Sequence, residues 1–377
     1  MKAWPFLGVF LVQFFLFLAH WFLYRTCIDF WPGLPPAAIP ALRVAVLVLA
    51  FSFVAAALLS FRFSNPLVRL IYKAAAVWLG FLNYLFWAAC LSWLVWFALR
   101  AVQLHPHPAV VRPWIDGSLS AAALVAAIYG MINARWIRVR RVIVHLPNLP
   151  AAWLKRKAVM ISDLHLGHVN GLYFSRRVAA IAARLKPDLI FLPGDLFDGS
   201  KADLDALLGP IRDLAPPQGI FFSTGNHEEF GDPRYYLEPI ARAGIRILAD
   251  DQVTVDGLRI AGVSYGHALY PIRLRAILER MNLNHAQPTI LLNHVPSKLP
   301  IVEQAGVNLQ LSGHTHGGQI FPFTWITRRV FGPFTYGLHR FGALQVYTSS
   351  GCGTWGPPMR VGTHPEIVVL EFKSSRA

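Results

Sequence analysis

The stretch Ala158-Val159-Met160-Ile161-Ser162-Asp163-Leu164-His165 begins as a short apolar run and ends with two polar side chains one residue apart. An uninterrupted apolar run of this length, bounded by polar residues, is typical of a buried strand. Asp163 and His165 therefore lie just beyond the predicted carboxyl end of a strand, which is where open α/β architectures build their sites.

Four further polar clusters follow along the chain, each after a segment that is predicted to be extended. They are Gly194-Asp195-Leu196-Phe197-Asp198, Gly225-Asn226-His227-Glu228, Asn293-His294, and Gly313-His314-Thr315-His316. Apolar runs at 189–192, 220–222 and 290–292 precede the first three, and a weaker alternating stretch at 308–311 precedes the fourth. Because side chains beyond strand carboxyl ends converge on one edge of a sheet, the sequence predicts a single polar site in an α/β domain.

The ligand chemistry of these clusters indicates two metal ions. Carboxylate, imidazole and amide groups without thiolates suit manganese, iron, zinc or nickel, and a set rich in imidazole disfavours magnesium and calcium. Taken singly, each cluster has an ordinary explanation, because an Asp before a His is commonly a cap or turn residue and a His-x-His pair is commonly an exposed strand or loop feature. All five ordinary explanations would have to hold together to displace the metal-site interpretation.

The five clusters resemble, in order and spacing, the calcineurin-like metallophosphoesterase superfamily, whose blocks run Asp-x-His, Gly-Asp-x-x-Asp, Gly-Asn-His-Glu, a lone His and Gly-His-x-His. The resemblance covers residues 155–372, and the tail segments Ser349-Ser350-Gly351 and Pro365-Glu366-Ile367 are similar to a membrane-anchored subgroup. It implies an α/β sandwich of two mixed sheets packed face to face and flanked by helices. Members of that subgroup often carry an Asp pair where this chain has Ser264-Tyr265-Gly266-His267, so the substrate rim is expected to differ.

The resemblance also implies roles for individual residues. One divalent ion would be held by Asp163, His165 and His316, and the second by Asn226, His294 and His314, with manganese favoured. Asp195 would bridge the two ions, so that a shared water ionises near neutral pH and attacks phosphorus in line. His227 would act as the acid or leaving-group stabiliser, and Asp198 would orient it.

Other features of the catalytic half are expected to be peripheral to the site. Five histidines match no ligand block and are interpreted as surface or pocket-rim residues: His168, His267, His285, His339 and His364. The Gly-, Pro- and aromatic-rich stretch 317–345 is predicted to be a long loop, and long loops beside a site are often lids or substrate walls.

The first part of the chain is predicted to be an all-α transmembrane bundle of about four helices. Uncharged stretches at 3–24, 44–61, 74–99 and 117–134 each reach the roughly 18 residues that a bilayer-spanning helix requires. The first could be a cleaved signal peptide, but its apolar run is longer than the usual signal core and three more spans follow. The 55% hydrophobic content and the mean hydropathy of +0.43 fit such a bundle joined to a catalytic domain.

Charge divides the chain in the same way. Residues 1–157 carry 15 Lys and Arg against 2 Asp and Glu, whereas residues 158–377 carry 20 against 18. The basic character is thus a membrane feature, and no nucleic-acid partner is expected because the catalytic part is nearly neutral. With four spans, eleven basic residues would flank one side and four the other: Lys2, Arg62, Arg69, Lys73, Arg135, Arg138, Arg140, Arg141, Lys155, Arg156 and Lys157 against Arg25, Arg43, Arg100 and Arg112. This imbalance predicts a multi-pass cell-membrane protein with both termini and the catalytic domain in the cytoplasm.

The sequence therefore predicts a transmembrane domain at 1–136, a basic juxtamembrane linker at 137–157 and a metallophosphoesterase domain at 158–377. The favoured function is a membrane-anchored, metal-dependent phosphoesterase, most simply a phosphodiesterase, that cleaves a phosphodiester, pyrophosphate or phosphomonoester of a lipid or lipid-linked substrate. Its expected partners are membrane lipids and a phosphorylated small molecule or lipid; the sequence names no protein partner. The alternative is a membrane sensor or scaffold whose phosphoesterase domain binds a phosphorylated ligand without turnover.

Overall fold

The computed structural model describes residues 4–103, 107–230 and 232–374, and its first four elements are long helices. They are α1 (Trp4–Phe30), α2 (Ala38–Arg62), α3 (Pro66–Ala101) and α4 (Pro108–Arg135). All four are long and apolar enough to cross a membrane, which confirms the predicted number of apolar helices in this part of the chain. Lys2, which entered the charge comparison above, and residues 104–106 between α3 and α4 lie outside the described residues.

Polar contacts link three of these helices, α1, α3 and α4. The Asp116 carboxylate on α4 accepts hydrogen bonds from the Trp31 indole, which follows α1, and from the Ser92 hydroxyl on α3. The Trp78 indole on α3 donates to His20 on α1 at 2.8 Å. Many large apolar side chains on α1 and α2 stay exposed, as expected of helices whose surroundings are lipid.

A second compact unit, Asn133–Trp355 with Arg360–Ala377, is built on two six-stranded mixed sheets. The first sheet has the order β1-β12-β2-β3-β4-β5. Its strands are β1 (Arg138–Leu146), β2 (Lys157–Met160), β3 (Leu189–Pro193), β4 (Ile220–Ser223), β5 (Arg246–Ile247) and β12 (Glu366–Ser374). Strands β2 to β5 are parallel, so their carboxyl ends share one edge of the sheet.

The second sheet has the order β10-β11-β9-β8-β7-β6. Its strands are β6 (Asp251–Val255), β7 (Leu258–Gly262), β8 (Thr289–Leu292), β9 (Leu309–Ser312), β10 (Gly337–Phe341) and β11 (Leu344–Thr348). Strands β7, β8, β9 and β11 are parallel, and the edge strands β6 and β10 run antiparallel to their neighbours.

Three apolar cores hold the layers of this unit together. Between the sheets, Phe191 on β3 and Leu370 on β12 belong to one cluster with Ile260 and Leu292 of the second sheet. The outer face of the first sheet is covered by α5 (Leu172–Arg184), α6 (Leu204–Arg212) and α7 (Arg234–Arg242). The outer face of the second is covered by α8 (Tyr265–Ala268), α9 (Pro271–Arg280) and α10 (Leu299–Gln304). The predicted sandwich of two mixed sheets flanked by helices is confirmed.

The segment 137–157 is not the linker that the sequence predicts. It contains β1, whose nine residues pair in parallel with β12 from Arg138↔Glu366 to Leu146↔Ser374, and a short 3₁₀ helix (Ala151–Lys155) that buries Trp153 completely. Arg138, Arg140 and Arg141 lie on β1, which is an edge strand, and charged side chains are common there because edge strands keep part of their surface in water. The segment is therefore part of the folded unit.

The stretch 317–345 also differs from the predicted loop. It folds into α11 (Phe323–Phe331), a 3₁₀ turn (Gly332–Thr335) and strand β10. Its many glycines and prolines obscured a nine-residue helix, because Pro322 and Gly332 mark the two ends of that helix rather than interrupting it.

Candidate metal centre

The predicted ligands come together because they follow strands whose carboxyl ends meet between the two sheets. Asp163 and Asp195 follow β2 and β3, and Asn226 follows β4. His294 and His314 follow β8 and β9 of the second sheet. Two facing sheets thus deliver carboxylate, amide and imidazole groups to a single cleft edge.

Five of the seven predicted ligand residues have left-handed backbone conformations. The φ angles are 52° for Asp163, 45° for His165, 52° for Asp195, 67° for His314 and 49° for His316. Such a conformation costs an L-residue about 1–2 kcal/mol and persists only where the surrounding structure imposes it. Backbone strain concentrated at these residues indicates a functional site.

Glycines within the polar clusters allow the main chain to approach the ligand carboxylates closely. A Cβ atom on Gly225 would lie 2.1 Å from the Asp195 Oδ1 atom, and one on Gly313 would lie 2.2 Å from the Asp163 Oδ2 atom. Both distances are far below van der Waals contact, so neither position accepts a side chain without displacing a ligand carboxylate.

The first group of converging ligand atoms comes from Asp163, His165 and His316. One ligand atom from each lies within 4.8 Å of the others, and all three residues are buried. The Nε2 atoms of the two imidazoles are 2.9 Å apart, and His316 Nε2 is 3.5 Å from Asp163 Oδ1. The Asp163 carboxylate is fixed by hydrogen bonds from the Ser162 hydroxyl and the His314 main-chain N–H.

The second group comes from Asp195, His294 and His314, whose ligand atoms also lie within 4.8 Å of one another. His294 Nε2 is 3.1 Å from Asp195 Oδ2, and His294 Nδ1 contacts the Pro193 carbonyl oxygen at 2.8 Å. Asn226 joins this group through its Oδ1 atom, 2.9 Å from His314 Nδ1. Asp195 Oδ2 is also 3.7 Å from His165 Nε2, so the Asp195 carboxylate lies between the two groups.

The protonation states of these residues fit a site for cations. Burial lowers the pKa of His165 and His316 well below the usual range and that of His314 to about 4, so all three are neutral imidazoles with lone pairs to donate. Burial also disfavours a charged His294, but the Asp195 and Asp163 carboxylates outweigh that effect and raise its pKa to about 10. A positive charge is therefore favoured between the two carboxylates, in the position that a divalent cation would fill.

His227 lies beside this centre, as the sequence predicted, but Asp198 holds it differently from the expected arrangement. The rings of His227 and His165 pack edge to face with centroids 4.7 Å apart, and His227 Nδ1 is 3.0 Å from the main-chain carbonyl oxygen of Asp198. The Asp198 carboxylate instead accepts hydrogen bonds from the His168 N–H and from the N–H and hydroxyl of Ser200. The predicted carboxylate contact is absent among the described residues, and both oxygens of that side chain accept hydrogen bonds from these other donors instead.

The interpretation of His168 as a surface or rim residue is wrong. Its side chain is buried, and Nδ1 lies 3.0 Å from the Ser200 hydroxyl, which in turn donates to the Asp198 carboxylate. His168 thus belongs to the layer of residues behind His227. The sequence carried no signal for this, because the contact depends on the turn that brings residues 198–200 against 167–168.

Glu228 belongs to the third polar cluster, where the sequence predicted no role for it, and the structure shows what it does. Its carboxylate accepts four main-chain N–H bonds, from Asp195 at 3.0 Å, Leu196 at 2.8 Å, Phe197 at 3.1 Å and Gly225 at 2.9 Å. Burial raises the pKa of Glu228 to about 7, and the N–H donors counteract that rise by stabilising the charged form. Glu228 fixes the strained loop that carries Asp195.

We expect Glu228→Gln to destabilise the second compact unit even without metal. The substitution replaces one carboxylate oxygen with an NH₂ group, so two of the four buried N–H donors lose their acceptor, at a cost of about 1–3 kcal/mol each. The thermal unfolding midpoint of the metal-free full chain in detergent measures this. Glu229→Gln is the matched control, because the half-buried Glu229 accepts from the Thr224 hydroxyl and the Gly266 N–H rather than from the loop that carries Asp195. Equal effects of the two substitutions would contradict the role given to Glu228.

Two further buried charges were not predicted as site residues. The fully buried Arg360 guanidinium donates to the carbonyl oxygens of Gly351 and Gly353, and it lies 3.3 Å from His316 Nδ1. Glu366, which the tail resemblance included, accepts from the Ser349 hydroxyl and the Ser350 N–H. Together they fix the tail segment that backs His316, and no local pattern distinguishes Arg360 from a surface arginine.

Comparison with known proteins agrees with this geometry. A sequence profile of the family described as calcineurin-like phosphoesterase matches residues 156–318. An uncharacterized metallophosphoesterase of Campylobacter jejuni is 33% identical over 260 residues, covering 67% of this chain and 68% of that protein. A transmembrane protein with metallophosphoesterase domain of Danio rerio is 31% identical over 267 residues, covering 67% of this chain and 61% of that protein.

For a third relative, the match extends over nearly the whole length of that relative. An uncharacterized metallophosphoesterase of Aquifex aeolicus is 30% identical over 260 residues, covering 67% of this chain and 97% of that protein. The region matched by the family profile, residues 156–318, contains both predicted ligand groups. The chain belongs to the calcineurin-like phosphoesterase family.

Proposed function

We propose that this protein is a membrane-anchored phosphohydrolase with two divalent metal ions. The observation that carries the proposal is the convergence of two buried ligand groups on the shared carboxylate of Asp195. Asp163, His165 and His316 would hold one ion, and Asn226, His294 and His314 the other. When bound, two such ions supply Lewis acidity that neutralises charge on phosphoryl oxygens and lowers the pKa of water. The nitrogen and oxygen ligands suit manganese, iron, zinc or nickel, and we favour manganese.

We infer that His227 supplies a proton to the leaving group. Its Nδ1 atom is held by the Asp198 carbonyl oxygen, which leaves Nε2 free to exchange a proton with substrate. His227 also lies within 4.8 Å of ligand atoms of His165 and Asp195, close enough to reach a phosphoryl group bound at the centre. Asp198 then acts as a positioning residue through its main chain.

We infer that the substrate is a phosphodiester, pyrophosphate or phosphomonoester of a lipid or lipid-linked molecule, with a phosphodiester favoured. The support is the chain itself, because the same polypeptide carries four apolar helices and a phosphoesterase domain. An enzyme held at the bilayer meets an amphiphilic substrate without extracting it into water.

The function is tested with the purified full chain in detergent. With added Mn²⁺ we expect hydrolysis of bis(p-nitrophenyl) phosphate, slower hydrolysis of p-nitrophenyl phosphate, and loss of both activities on chelation. Iron, zinc and nickel are compared in the same assay. Failure of every metal to support hydrolysis of either ester or of pyrophosphate, in protein that still binds a phosphorylated ligand, would favour the sensor or scaffold function instead.

We further propose that the membrane part crosses the bilayer four times and that the catalytic domain faces the cytoplasm. In a background lacking Cys27 and Cys90, we expect Gly33→Cys, in the turn between α1 and α2, to react with an impermeant maleimide on intact cells. Lys373→Cys, exposed near the end of β12, should react only after permeabilisation. A Cβ at Gly33 meets no neighbouring atom, so that substitution leaves the fold intact. Labelling of Lys373→Cys on intact cells would contradict the proposed sidedness.

A further inference from the structure

Helix α11 (Phe323–Phe331) presents an apolar stripe to the outside of the catalytic unit. None of its nine residues is buried. Phe323, Ile326 and Val330 are 49%, 44% and 69% exposed, and their spacing of three and four residues places them on one face of the helix. Phe321, just before the helix, is 50% exposed. An outward-facing stripe of this kind indicates an interaction surface, because a water-exposed surface rarely groups large apolar side chains in this way.

The helix is fixed to the metal centre at both ends. Near its start, a Cβ on Gly318 would lie 2.4 Å from the main-chain nitrogen of Thr324, so the backbone packs directly against the loop that follows His316. At its end, the Phe331 ring contacts the His314 ring with centroids 6.3 Å apart. The stripe is therefore held in a set position relative to the predicted ligands.

The charge around the stripe complements an anionic surface. Residues 317–345 contain three arginines, Arg328, Arg329 and Arg340. They contain no Asp and no Glu. The Arg329 guanidinium lies over the Trp325 ring, 5.2 Å from its centroid, and Trp325 is 58% exposed. Apolar side chains flanked by Arg and Trp are the composition of helices that lie in the headgroup region of a bilayer.

Two observations favour a bilayer over a second copy of this chain as the occupant. Two residues separate α4, which ends at Arg135, from β1, which begins at Arg138, so a membrane-spanning α4 would keep the catalytic unit at the bilayer surface. A stripe of a few side chains is also much smaller than the roughly 20–30 residues that each partner contributes to a stable protein interface. We propose that α11 is an interfacial helix whose Phe323, Ile326 and Val330 side chains enter an anionic lipid bilayer.

The other side of α11 faces a cavity next to the predicted ligand His316. Thr324, Trp325 and Arg328 line a cavity of about 620 Å³ that also reaches Gly317, the residue after the predicted ligand His316. An amphiphile in the bilayer could thus place a phosphorylated head beside the metal centre while its apolar part remains in lipid. This consequence rests on the proposed function, whereas the insertion of α11 does not.

The insertion is tested with the full chain in nanodiscs of phosphatidylcholine and phosphatidylglycerol, in a background lacking Cys27 and Cys90. A fluorescent probe on Ile326→Cys or Val330→Cys should be quenched several-fold more by lipid carrying a doxyl group on the acyl chain than the same probe on Ile272→Cys. Ile272 is the matched control, since it is an isoleucine of the same unit, 86% exposed at the start of α9. We expect the difference to shrink in nanodiscs of phosphatidylcholine alone.

Quenching at Ile326 and Val330 no greater than at Ile272 would overturn the proposal. It would also be overturned if the two probes were shielded from water but not quenched by doxyl lipid, and became exposed on dilution, because that result identifies a second copy as the occupant. None of these readings requires turnover. A failure of the proposed hydrolase function would therefore appear in the ester assay and leave the quenching unchanged.

Discussion

Asp195→Asn is expected to remove most of the bound metal and to lower the rate of phosphoester hydrolysis by about 10³-fold or more. Its carboxylate is the group shared by both ligand sets, 3.1 Å from His294 Nε2 and 3.7 Å from His165 Nε2. An amide keeps the shape of the side chain but lacks the negative charge that draws two cations together. Metal content by elemental analysis and turnover of bis(p-nitrophenyl) phosphate, measured on the same sample, check both parts of this prediction.

The matched control for this substitution is Asp205→Asn. Asp205 pairs with Arg242 on the surface, and such exposed pairs contribute little to stability. The control should retain wild-type metal content and activity. If Asp195→Asn also retained its metal and its turnover, the assignment of Asp195 to the shared position would be wrong.

His227→Ala is expected to lose about 10²- to 10⁴-fold in rate while retaining the metal. The imidazole contacts His165 by ring packing and the Asp198 carbonyl by its Nδ1 atom, and neither contact is needed to hold the two ligand groups together. Because its proposed task is to protonate the leaving group, the loss should be smallest for nitrophenolate, which departs without a proton, and largest for an alkyl leaving group.

The comparison of leaving groups separates a proton donor from a residue that only supports the site. His285→Ala serves as the control, because His285 is exposed and belongs to none of the five polar clusters. Equal losses on good and poor leaving groups would contradict the acid role of His227. So would a loss of metal matching that of Asp195→Asn.

The sequence was informative about the site because its ligands follow buried parallel strands. Such strands appear as short apolar runs, and their carboxyl ends meet at one edge, so residues as far apart in the chain as Asp163 and His314 can be placed together from the sequence alone. The four apolar helices were predictable for a similar reason, since the thickness of a bilayer sets a minimum length for each span.

Features that depend on distant contacts could not be predicted in this way. Strand β1 finds its partner β12 more than two hundred residues later in the chain, and only that pairing distinguishes it from a basic linker. The buried positions of His168 and Arg360 likewise arise from turns that meet in space. Helix α11 lies between a proline and a glycine, which are typical loop residues. Its apolar residues follow the helical period over only nine positions, too few to predict a helix from the sequence.

We propose that two metal ions occupy the cleft where the sheets meet. The most direct test is elemental analysis of the purified full chain after saturation with Mn²⁺ and removal of the excess. The convergence of one ligand group on Asp163, His165 and His316 and of another on Asp195, His294 and His314 predicts two ions per chain. One ion per chain or none, in protein that remains folded, would contradict a dinuclear centre.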